Sequence, residues 1–131
     1  MVVRTDYILE LIEQCTQALL AAVGRKKAEE AEAELARAVG SWTGLDLDFT
    51  IQLPTDTLLQ MLGAGSLGAE QRLLLVGQAI ALRCLVLRER GEGAQAEPLI
   101  EKANRLIAAA LEGRPDLNNE GLQAVLAALN G

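Results

Sequence analysis

Three arginines, Arg72, Arg83 and Arg90, have the spacing that could do recognition chemistry in this 131-residue chain. At 100° per residue, steps of eleven and seven bring them within about 20° of one helical direction over about 27 Å. A guanidinium presents a planar fork of donors, so such a row can grip carboxylates by paired hydrogen bonds. The expected ligand is an acidic peptide or another protein carrying one. Surface arginines also pair with neighbouring glutamates and lay their stems on apolar surface, which is the plainer use of the same row.

No other residues assemble into a reactive set. The chain has no histidine, which removes the commonest general base and metal ligand. Cys15 and Cys84 are too few and too far apart in sequence for a structural zinc site, and each lies in an apolar run that suits a buried, reduced thiol. Asp6, Glu10 and Glu13 share a helical face but lack the Glu-x-x-His partners of di-iron bundles. Asp46 and Asp48 alternate on what reads as an extended segment, two carboxylates where a calcium loop needs more. Ser41 and Ser66 lie in Gly-rich turns without a nucleophile-elbow motif. The stretch Gly63-Ala64-Gly65-Ser66-Leu67-Gly68 matches G-x-G-x-x-G, but a helix rather than a strand is expected before it, so a dinucleotide site is not. We therefore expect no catalytic residues, no metal and no cofactor.

The elements that must position the arginines are all helical. A first helix is expected over about 6–23, its buried face formed by Ile8, Leu11, Ile12, Cys15, Leu19, Ala22 and Val23. Gly24 suits its end, and a second helix is expected over about 26–39; one continuous helix is the alternative. After the Gly40–Gly44 break, Leu47, Phe49, Ile51 and Leu53 alternate with polar residues, and this period of two predicts an extended connector over 41–53. A short helix should follow from Pro54 to Leu62. The helix carrying the arginines is expected over about 69–90. It is apolar nearly all round and so should be the central one, stopped by Gly91. The next is expected over about 96–111, because Pro98 should bar an earlier start. A last helix is expected over about 119–129, burying Leu122, Val125, Leu126 and Leu129. The expected architecture is one all-α domain of five or six helices in antiparallel hairpins: an N-terminal hairpin in 1–40, the connector in 41–53, and a repeat-like half in 54–131.

Gly91, Ala96 and Ala103 sit where a tetratricopeptide repeat places its turn glycine and the two small residues of its second helix, and Cys84 and Leu87 fit its first helix. Ile100 replaces an aromatic of that pattern, and Ala108 its closing proline. The region resembles one tetratricopeptide-type hairpin, which implies a right-handed helical array that binds proteins. The opening Arg4-x-Asp6-Tyr7-Ile8-Leu9-x-x-Ile12-Glu13-Gln14, together with Gly44-Leu45-Asp46-Leu47, is similar to a small bacterial family of helical proteins known as a domain of unknown function. That resemblance implies a bacterial, cytoplasmic helical protein and no particular reaction.

The formal charge of −6, from 18 acidic and 12 basic residues, opposes binding to phosphate backbones, so nucleic acid is not an expected partner. The longest apolar run, Leu73 to Leu87, is shorter than a membrane span and broken by Gly77, Gln78 and Arg83. The N-terminus lacks the basic-then-apolar order of a signal peptide. The function expected is therefore a non-catalytic protein-interaction or scaffolding module in the cytoplasm, with a homodimer among its expected assemblies. The alternative is a helical bundle holding a small ligand or lipid in an apolar cavity.

Overall fold

The computed structural model describes residues 37, 46–63 and 68–131, and every regular element among them is helical. The expected helices over 6–23 and, apart from residue 37, over 26–39, the break at 40–44, and Asp6, Glu10, Glu13, Cys15, Ser41 and Ser66 lie outside the described residues. The described helices are α1 (Leu47–Gln52), α2 (Thr55–Gly63), α3 (Ala69–Glu89), α4 (Gly93–Gly113) and α5 (Glu120–Asn130). A 3-10 turn, Pro115–Leu117, sits between the last two. The all-α expectation holds.

The core is a hairpin of the two 21-residue helices α3 and α4. Its antiparallel register is read from three approaches along its length. Near the turn, the Cys84 thiol lies 3.8 Å from the Ala96 carbonyl oxygen. At mid-helix, a Cβ added to Gly77 would stand 2.8 Å from Ile107 Cγ1 and 3.4 Å from the Ala103 carbonyl oxygen. At the far end, a Cβ on Gly113 would stand 2.7 Å from Glu70 Oε1. Ala96, Ala103 and Ala110 recur every seven residues on α4 and are fully buried. Gly77 and Cys84 answer them with the same spacing on α3. A seven-residue repeat of small side chains keeps the two axes close and nearly antiparallel along their length. As its sequence demands, α3 buries most of its circumference, from Gln71 to Val86.

The turn is closed by backbone geometry. Gly91 adopts φ 74°, the left-handed region that L side chains avoid. The Gly91 N–H donates to the Arg88 carbonyl at 3.1 Å, and the Glu92 N–H to the Leu87 carbonyl at 2.8 Å. That pair of bonds is the Schellman motif, which satisfies carbonyls the ending helix leaves open.

Two expectations fail. Residues 47–52 are a helix, so the connector over 41–53 is not extended through its described part. Asp46 caps it, its carboxylate accepting from the Phe49 N–H at 3.1 Å. Thr50 Oγ1 donates to the Asp46 carbonyl at 2.7 Å. These local bonds outweigh an alternation that six residues are too few to make decisive. Asp46 and Asp48 accordingly take separate tasks instead of facing one side of a strand. The second failure is the start of α4, which begins at Gly93 despite Pro98. Its opening turn is tightened by a bond from the Gln95 N–H to the Glu92 carbonyl at 3.0 Å. Ala94, whose carbonyl would have paired with an N–H at residue 98, lies exposed, as does Pro98.

The smaller helices lie on this hairpin. From α2, Leu58 and Leu62 are buried; from α5, Leu122, Val125 and Leu129. All join the single core cluster of the hairpin. Asn119 caps α5 by accepting from the Leu122 N–H at 2.8 Å.

Candidate functional site

The candidate arginines lie on α3 or at its cap. Arg83 is half-buried, and its Nη2 contacts Asp48 Oδ1 in the first turn of α1 at 2.7 Å. Arg72 Nη2 donates to the Leu62 carbonyl near the end of α2 at a long 3.5 Å. Arg90 is exposed at the C-cap of α3, where a cation faces the negative end of the helix dipole. All three are engaged in interactions within the chain. The described partners of Arg72 and Arg83 belong to the short helices, so these side chains fasten α2 and α1 to the hairpin.

Three further cations, not picked out by their sequence context, work in the same way. Lys102 reaches from α4 to the C-terminal end of α1, where Nζ donates to the Ile51 carbonyl at 2.5 Å and the Leu53 carbonyl at 2.6 Å. Arg88 does this for α5, with Nη1 on the Ala128 carbonyl at 3.0 Å and Nη2 on the Leu129 carbonyl at 2.6 Å. Arg105 pairs with Asp56 in the first turn of α2 at 2.8 Å. Lys102 and Arg88 answer the carbonyls that a helix leaves unsatisfied at its end, and Arg83 and Arg105 answer acids placed at a helix start. No sequence motif marks the role of Lys102 and Arg88, because their acceptors are main-chain atoms some forty or fifty residues away in the chain.

The short helices present a different chemistry outward. Residues 46–63 contain Asp46, Asp48 and Asp56 and neither lysine nor arginine. Among the described residues the exposed large apolar side chains are Phe49 on α1, at 53%, and Met61 on α2, at 45%. Even in their ion pairs the side chains of Asp48 and Asp56 are 69% and 82% exposed. On the inner side of these helices Thr50, Leu58 and Leu62 are buried.

Burial pushes the Cys84 thiol up from 9.0 to about 11, against a smaller pull from Arg88 and Arg83. Such a thiol stays protonated and is a poor nucleophile. Desolvation lowers Lys102. The Arg114 hydrogen bond holds Asp116 below the usual carboxylate range, while that bond raises Arg114. Among the described residues no three Cys, Asp or Glu side chains come together as a metal site, and no helix is long and apolar enough to cross a membrane. Gly63 closes a helix, α2, and Gly68 is the N-cap of α3 at φ 87°. The element before Gly63 is therefore a helix, as expected, where a dinucleotide-binding turn follows a strand.

No protein-family model, curated protein or solved structure matches the chain.

Proposed function

We propose that this protein is a non-catalytic interaction or scaffolding module of the tetratricopeptide-like helical kind, acting on a protein partner in the cytoplasm. The observation that carries this reading is the α3–α4 hairpin. Its turn glycine and its buried Ala96 and Ala103 stand at the positions that a tetratricopeptide-type hairpin uses to bring its helices together. Folds of this kind hold a rigid surface toward a partner. The second support is the use made of the cations: Arg83, Arg88, Lys102 and Arg105 hold helices in place rather than converging on a reacting centre. In this reading Arg72 and Arg83 brace the short helices, and an acidic peptide drawn to the row Arg72, Arg83 and Arg90 would have to compete with the internal partners of the first two.

The test is in-cell crosslinking of the full chain followed by identification of what is joined to it, alongside sedimentation equilibrium of the purified protein. A specific crosslinked protein, or a reversible homodimer, supports the reading. A strict monomer with no crosslinked protein, able to turn over a small molecule, would overturn it.

A further inference from the structure

The last residue of α5 is Asn130, and Gly131 follows it. We infer that Asn130 is a modification site, deamidated by attack of the Gly131 main-chain nitrogen, and that the packing of the last turn of α5 sets the rate.

Three observations carry it. The first is sequence. The chain has four asparagines, Asn104, Asn118, Asn119 and Asn130, and of these Asn130 alone precedes a glycine. The reaction needs the nitrogen of the following residue to reach the asparagine Cγ, and glycine puts no side chain in the way of that close approach. Asn130 and Gly131 are both exposed, so water reaches them. The second is what holds the reacting groups. The Gly131 N–H donates to the Ala127 carbonyl at 2.8 Å. The Asn130 amide pairs with the Asn104 amide in both directions: Asn104 Nδ2 donates to Asn130 Oδ1 at 2.8 Å, and Asn130 Nδ2 donates to Asn104 Oδ1 at 3.1 Å. Asn130 Nδ2 also donates to the Leu126 carbonyl at 2.9 Å. While these bonds stand, nitrogen and Cγ are kept from closing a ring. The third is position. Helix ends fray. Further in, Arg88 holds the Ala128 and Leu129 carbonyls, and Leu129 is fully buried. The pair with Asn104 is therefore the outermost fastening of α5, and the one whose opening frees the reacting atoms.

In the opened turn the Gly131 nitrogen loses its proton and bonds to Asn130 Cγ. The Cγ–Nδ2 bond breaks, and Nδ2 leaves with that proton as ammonia. The cyclic imide then takes up one water. Opening at Cγ gives an aspartyl residue; opening at the main-chain carbonyl gives the iso-aspartyl link, with the chain running through Cγ. Water is the co-reactant, and nothing is oxidised or reduced. The carboxylate formed has no N–H for Asn104 Oδ1 or the Leu126 carbonyl. It also sets a negative charge at the negative end of the helix dipole. The modification thus loosens the end of α5 in one direction only.

The test follows the full chain in neutral buffer, native and unfolded in guanidinium chloride, by peptide mass spectrometry that separates the asparaginyl, aspartyl and iso-aspartyl forms. Asn130 should convert ahead of Asn104, Asn118 and Asn119 in both samples, and several-fold more slowly in the native one. Asn104→Ala should raise the native rate toward the unfolded one with little change in urea midpoint. If that variant folds poorly, the native and unfolded rates of the parent chain still decide the matter. Asn130→Asp should speed amide exchange within 127–131 and leave the amides of α3 as they were. Earlier conversion at another asparagine would overturn the site. Equal rates in the native and unfolded chain would overturn the control assigned to the turn, and unchanged exchange in Asn130→Asp would overturn its loosening.

Discussion

Cys84 shows how far one side chain's surroundings can set its chemistry. It is fully buried on α3 with its sulfur over the Ala96 carbonyl. Burial raises the thiol from 9.0 to about 11. The folded form therefore keeps its proton where the unfolded form loses it. The stability this confers is complete below pH 9 and is lost as pH rises from 9 to about 11, an amount of about 2–3 kcal/mol. Urea denaturation across that range, set against Cys84→Ala, should show the loss in the parent protein and a smaller one in the variant. Thiol reagents should label Cys84 in the native protein only slowly. Gly77 makes the opposite point, since its lack of a side chain is its function. A Cβ there meets Ile107 Cγ1 at 2.8 Å and Leu106 Cβ at 3.3 Å. Gly77→Ala gains up to ~1 kcal/mol of helix propensity but overpacks the hairpin by about 1–3 kcal/mol. A net loss of stability is expected in the same denaturation experiment. Substitution to Ala at an open helical glycine would do the reverse.

At the scale of elements, the short helices are held by side chains from the long ones. α1 has six residues, too few to be helical alone. Lys102 supplies the bonds its C-terminal end lacks, on the Ile51 and Leu53 carbonyls. Replacing Lys102 with Met keeps most of the stem and removes both bonds, at a cost of about 1–2 kcal/mol. The damage should be local. Amide exchange across residues 47–53 should accelerate, while the amides of α3 keep their protection. If α3 loses protection equally, Lys102 supports the whole fold and not one helix. The Arg83–Asp48 pair is a weaker fastening, because Asp48 is mostly exposed and solvent screens such pairs.

At the scale of the molecule, α2, α3, α4, the 3-10 turn and α5 all contribute to one contiguous core. Such a core unfolds as a unit. Leu106 is fully buried in it, and Leu106→Ala should cost about 2–5 kcal/mol through lost burial and the cavity left behind. Circular dichroism and the slowest-exchanging amides should report the same loss, as expected of a single transition. By contrast, Met61→Ala on the exposed side of α2 should change stability by no more than about 0.5 kcal/mol. A large effect there would mean that Met61 serves packing despite its exposure.

The sequence by itself determined the helical class and the central hairpin. The largely apolar content of α3 demands burial of most of its surface, Gly91 readily takes a backbone angle that other residues seldom adopt, and Asn119 carries the capping oxygen for α5. These are short-range properties, carried by each residue wherever it sits. Only the tertiary structure decided the rest. The alternation of Leu47, Phe49, Ile51 and Leu53 suits a strand, yet Asp46, Thr50 and a lysine some fifty residues away make the segment a helix. The same holds for the charged residues. Spacing on α3 set Arg72, Arg83 and Arg90 in a row, but what a guanidinium does depends on what stands opposite it. For Arg83 that is Asp48 on α1, and for Arg88 it is the end of α5. Main-chain carbonyls at helix ends have no residue type to betray them, so cations that serve them become visible only once the helices are packed.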